Sequence, residues 1–108
     1  MRLAPESVSA IIGVLNIYKS DYIKILLYGS RVDDAKRGGD IDLAWVFPDG
    51  YDVFALKVIS HRILGALKSH PLIGDRKIDL RILTLSDCLK PFYAEALRDA
   101  VDLSCDHK

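Results

Sequence analysis

The segment Asp40 to Phe47, DIDLAWVF, constrains the fold of this chain more than any other. Its residues alternate. Ile41, Leu43, Trp45 and Phe47 fall on one side of an extended backbone, and Asp40, Asp42, Ala44 and Val46 on the other. Pro48-Asp49-Gly50 ends the run as a turn. This is the most readable strand in the sequence, and its second face would be apolar but for the two aspartates.

The flanking segments supply the rest of a sheet. Tyr22 to Tyr28, YIKILLY, is short and apolar and stops at Gly29, which predicts a second strand, central in the sheet. Lys77 to Leu83, KIDLRIL, alternates again, with Ile78, Leu80 and Ile82 inward and Lys77, Asp79 and Arg81 outward. Helical spacing of Val8, Ile11, Ile12, Leu15 and Tyr18 predicts a helix from residue 6 to about 19. A second helix is predicted over 51–69, with Val53, Leu56, Ile59 (or Ser60), Ile63 and Leu67 as its buried stripe and His70-Pro71 as its stop. A short helix is expected from residue 30 to about 36, before the break at Gly38-Gly39. Ser86 is expected to cap another short helix, and Pro91 to start one running to about Val101. The expected fold is a small α/β (α+β) domain, residues 1–108. Its mixed sheet has three to four strands packed with helices. The connection from Gly29 to Asp40 is short for a crossover helix, so a purely parallel sheet is not required.

Bulk properties set limits. A chain of 108 residues, half of them hydrophobic, suits one domain with a real core. Lys plus Arg and Asp plus Glu number 15 each, so no basic excess points to nucleic acid. Cys88 and Cys105 form neither a disulfide framework nor a zinc site, and are expected as free thiols in a reducing compartment. No run approaches a membrane span, and the N-terminal apolar stretch is too short and interrupted for a signal peptide. The expectation is a cytoplasmic protein without direct contact to membrane or nucleic acid.

The candidate chemistry lies between Gly29 and Leu43, GSRVDDAKRGGDIDL, and at Asp79. Asp40 and Asp42 leave one face of one strand, about 7 Å apart at Cα. Two carboxylates side by side are unfavourable unless a cation sits with them, and Mg²⁺ prefers hard oxygens and keeps several waters and phosphate oxygens. A strand beside this one would add Asp79 as a third carboxylate. Two such ions, about 3.5–4 Å apart, clamp the attacking and leaving oxygens of a phosphoryl displacement. Gly29 lets a phosphate approach the backbone. Ser30 and the N–H groups after it would donate to the phosphate, and Arg31, Lys36 and Arg37 are within the same connection. For Lys77 and Arg81 the expected role is to offset carboxylate charge. Tyr22 and Tyr28 are expected in core packing, and His61, His70 and His107 show no ligand spacing.

Gly-Ser, a spacer, Asp-x-Asp and a later strand aspartate resemble the nucleotidyltransferase superfamily of DNA polymerase beta. The short chain is similar to its minimal nucleotidyltransferases, over about Val8 to Leu103. The spacer Arg31 to Gly39 is slightly shorter than the family's, and Gly39 stands where a serine is often seen. The resemblance implies that Gly29, Ser30 and Arg31 bind nucleotide and that Asp40, Asp42 and Asp79 are the catalytic, metal-binding residues. It implies two Mg²⁺ ions and ATP as substrate. It also implies an antitoxin that transfers AMP to a tyrosine of a small helical HEPN-domain toxin, with which it forms a hetero-oligomer. The segment PFYAEALRDAVDL is similar to the family's terminal helix and final short strand. Two alternatives stand beside this expectation. One is a binding module that neutralises a partner by contact. The other is a transferase of a small-molecule acceptor.

Overall fold

A computed structural model describes residues 5–28, 41–73 and 77–104. The elements run α1 (Pro5–Tyr18), β1 (Lys24–Tyr28), β2 (Ile41–Phe47), α2 (Phe54–Val58), α3 (Ser60–Lys68), β3 (Ile78–Thr84), α4 (Leu85–Cys88), α5 (Pro91–Ala96) and β4 (Val101–Asp102). The four strands form one mixed sheet in the order β3-β2-β1-β4. β1 is antiparallel to both β2 and β4, as the short β1–β2 connection allows, and β2 is parallel to β3. This is the expected small α/β fold with a helix-packed mixed sheet.

The alternation read from β2 is the one observed. Ile41, Leu43, Trp45 and Phe47 are buried in the larger core, with Ile25 and Leu27 of β1 and Ile78, Leu80 and Ile82 of β3. The same layer holds Ile11 and Leu15 of α1 and Ile63 and Leu67 of α3. Fully burying each such side chain contributes about 1.5–3 kcal/mol. Trp45 and Phe47 lie in an aromatic column. Trp45 is 6.2 Å from Tyr22 and 5.0 Å from Phe47, and Phe47 stacks on Tyr51 at 4.9 Å.

The single helix expected over 51–69 is two helices. α2 begins only at Phe54, after Tyr51 N–H donates to the Pro48 carbonyl and Asp52 accepts from Phe54 N–H. It breaks at Ile59, whose φ of −103° and ψ of 17° leave the helical well. Val58 and Ile59 are successive β-branched residues, stiff at χ1 and poor at propagating a helix. The buried stripe survives the break, because Leu56, Ile63 and Leu67 still meet the core.

The second face of the sheet carries a smaller core of Leu26, Ala44, Val46 and Leu83, packed by Tyr28, Cys88, Tyr93, Leu97 and Ala100. The helices there differ from expectation. Thr84, not Ser86, caps α4. Its hydroxyl accepts from Asp87 N–H at 3.3 Å while Asp87 Oδ2 accepts from Thr84 N–H at 3.1 Å, a reciprocal capping box. Pro91 does open α5, as its fixed φ favours. The helix ends at Ala96 rather than near Val101, because Val101 and Asp102 pair with Leu27 and Leu26 as β4.

The capping box carries a pH prediction. The Thr84 backbone N–H, and secondarily Lys90, hold the Asp87 carboxyl below its ordinary value of 3.8. A folded pKa below the unfolded one gives stability that is present above the unfolded pKa and lost as pH falls through the folded one. Asp87→Ala is therefore expected to cost about 1 kcal/mol at neutral pH. The melting-temperature gap to the natural sequence should close as the buffer is taken below the usual carboxylate range.

Among the described residues no helix is long and apolar enough to cross a membrane. Cys88 is a free, half-buried thiol, and burial raises its pKa.

Candidate functional site

Strand pairing creates a polar row on the second face of the sheet. Asp42 of β2 is the Cα partner of Asp79 on β3 and of Tyr28 on β1. Registered partners point to the same side, so Tyr28, Asp42 and Asp79 stand side by side across three strands, each strand about 4.8 Å from the next. Farther along β2 the same face is Ala44 and Val46, both fully buried beneath the smaller core. Asp42 is only half-buried. The apolar cover thus gives out where the carboxylates begin, at the end of the sheet from which β2 starts.

The electrostatics are local. Arg81, two residues beyond Asp79 on the same face, brings Nε to 3.5 Å from Asp79 Oδ2. Both side chains are about half exposed, at 46% and 50%, so water has access to this pair. Asp79 raises the pKa of the guanidinium further, and Tyr93 of α5 adds a hydrogen bond to it. Burial pushes the Tyr28 hydroxyl up. The negative charges of Asp79 and Asp42 add to that shift, and Arg81 opposes it. Tyr28 therefore stays protonated at neutral pH, a donor next to two acceptors.

The sequence expectation and the structure meet at Asp42 and Asp79, which occupy matched positions on adjacent parallel strands. Gly29, Ser30, Arg31 and Asp40 lie outside the described residues, as do Lys36 and Arg37. Among the described residues no group of three or more His, Cys, Asp or Glu side chains is placed to hold a metal. Arg81 offsets carboxylate charge as expected. Lys77 is exposed, and its carbonyl accepts from Ile41 N–H at 2.8 Å at the start of the β2–β3 ladder. Trp45 and Phe47 point to the opposite, core side. Tyr93 is the contributor that sequence reasoning missed. It sits in a helix of six residues, too short for a periodic stripe to mark one face.

Two half-exposed carboxylates one strand apart are hard oxygen donors that fit Mg²⁺, which takes one or two carboxylates with phosphate oxygens and water. No family model matches this chain, and no curated protein matches it.

Proposed function

We propose that the protein is a Mg²⁺-dependent nucleotidyltransferase that moves AMP from ATP to a hydroxyl, a tyrosine by the family resemblance, on a small helical partner of the HEPN type. The observation that carries this reading is the pairing of Asp42 with Asp79. A strand register that sets two carboxylates against each other on a half-exposed face is unfavourable for folding by itself. It is expected where a cation and a polyphosphate are the intended neighbours.

In this reading Asp42, Asp79 and Asp40 hold the metal, and Gly29, Ser30 and Arg31 receive the triphosphate. Bound Mg²⁺ supplies charge neutralisation on the phosphate oxygens. The acceptor oxygen forms a bond to the α-phosphorus, the bond from that phosphorus to the bridging oxygen breaks, and pyrophosphate leaves. Asp79 takes the acceptor's proton, and Arg81, 3.5 Å away, orients that carboxylate. The Tyr28 hydroxyl, protonated on the same face, adds a neutral polar group beside the carboxylates.

Calorimetric titration with ATP tests the donor half. Binding is expected with Mg²⁺ and not with excess chelator, and absence of binding with Mg²⁺ present sinks the proposal. The acceptor half is read by intact mass of the helical partner, which should gain one AMP on incubation with the protein, Mg²⁺ and ATP.

A further inference from the structure

Among the described residues the sheet ends at β3, and nothing there pairs with its outer edge. Ile41 N–H donates to the Lys77 carbonyl, which fixes the phase of the ladder. Residues 77, 79, 81 and 83 turn their backbone groups toward β2, so Ile78, Leu80 and Ile82 turn their N–H and C=O groups outward. Among the described residues no hydrogen bond uses those outward groups. Beside them lies a groove of about 210 Å³. Its floor is residues 80–83 of β3. Lys57 and Ser60 wall it on the face of the larger core, and Tyr93 walls it on the other. Four consecutive strand residues from both faces can share one groove only at the strand edge.

We propose that this edge pairs with the β3 edge of a second copy of the chain, antiparallel about a two-fold axis at Leu80, to give a continuous eight-stranded sheet. The charges choose the occupant and the register. Outward-facing residues must meet outward-facing residues, which leaves three central registers. Centring on Asp79 sets Asp79 against Asp79 of the second copy. Centring on Arg81 sets two guanidinium groups together. Centring on Leu80 places each Asp79 opposite Arg81 of the second copy. These fall at non-hydrogen-bonded positions, where facing side chains are closest. Ile78 then exchanges backbone bonds with Ile82 of the second copy, and about six inter-chain bonds form. Charges on an edge strand normally repel incoming strands. Here they reject every central pairing except the self-complementary one.

Two further observations favour a second copy over a lone extended peptide. Phe54 and Val58 of α2, and Leu85, Leu89 and Phe92 around α4 and α5, are exposed apolar side chains on the elements that flank the groove. A second copy brings its own flanking helices to both sides, whereas a single strand fills only the floor. The net charge of zero sets no long-range barrier between copies.

The proposal uses Asp79 and Arg81, which the transferase reading also uses, but it is tested apart from that reading because its readout is mass. Light scattering across a dilution series is expected to give twice the 12.1 kDa chain mass, falling to the monomer on dilution. Arg81→Asp should weaken association about tenfold or more, since two favourable pairs become like-charge contacts. Adding Asp79→Arg to that variant should restore the dimer. A monomer at every concentration overturns the proposal and leaves the groove to a strand of another protein. A dimer indifferent to Arg81→Asp, or one not restored by the exchange, also overturns it. Amide hydrogen exchange on the natural sequence needs no variant. Leu80 and Ile82 N–H groups should be protected when concentrated and exchange freely when dilute, and equal exchange at both concentrations counts against the pairing.

Discussion

Asp42→Asn is expected to fold normally and to lose AMP transfer by about 10³-fold or more. The side chains are nearly the same size, so β2 keeps its shape and its partners Tyr28 and Asp79. What changes is charge. Charge stabilisation by a metal at a phosphoryl centre supplies several kcal/mol, and about 4 kcal/mol corresponds to three orders of magnitude in rate. The metal-free variant should melt at or above the temperature of the natural protein, because one of two facing carboxylates has become neutral. The ligand response should move the other way. Mg²⁺ with ATP at about 100 times its dissociation constant stabilises by about 2.7 kcal/mol, which raises the melting temperature of a chain this size by on the order of 10 °C. Asp42→Asn should lose that rise. A variant that still transfers AMP, or whose melting temperature rises as much as the natural protein's, removes Asp42 from the site. An unchanged melting temperature of the natural protein at saturating Mg²⁺ and ATP removes the site itself.

The position of Asp42 was legible because a strand repeats every two residues. Once Trp45 and Phe47 are assigned to the core, Asp42 must lie on the other face. The position of Asp79 was legible only conditionally, since its own alternation gives the face but not the neighbouring strand. That β3 pairs with β2, and in the register that sets Asp79 against Asp42, depends on how α2 and α3 carry the chain across the sheet. No local pattern encodes that path. The break at Ile59 was hidden because the buried stripe of Leu56, Ile63 and Leu67 runs on through it. Two short helices after β3 were legible from Ser86 and Pro91, but which of their residues cover the second face was hidden for the opposite reason. Cys88, Tyr93 and Leu97 come from helices of four and six residues and the turns around them, shorter than the window in which periodicity can be seen. Thr84 was passed over as a cap because it also ends the alternation of β3, and one residue serves both elements. For Gly29, Ser30, Arg31 and Asp40 the sequence remains the whole basis of the reading.

Trp45→Ala is expected to cost about 3–5 kcal/mol, the range for truncating a large buried aromatic side chain. Trp45 is completely buried on the strand that joins β1 to β3, and it touches both Tyr22 and Phe47. A domain of this kind has a net stability of about 5–15 kcal/mol, so the loss is a large share of the total. At about 4–8 °C per kcal/mol the melting temperature should fall by roughly 15 °C or more. The indole Nε1 is buried without a hydrogen-bond partner among the described residues. An unpaired buried N–H costs about 1–3 kcal/mol, so the ring's packing is stabilising in spite of its polar atom. Trp45→Phe removes that N–H and keeps an aromatic ring against Phe47, and should therefore cost less than half as much as Trp45→Ala. Equal losses in the two variants would show that a phenyl ring recovers none of the packing, and that the cavity left by the indole decides the cost. Trp45 and Asp42 project from opposite faces of β2, so Trp45→Phe should retain the full melting-temperature response to Mg²⁺ and ATP. A phenylalanine variant that folds but has lost that response would mean that the Asp42–Asp79 register depends on the indole itself.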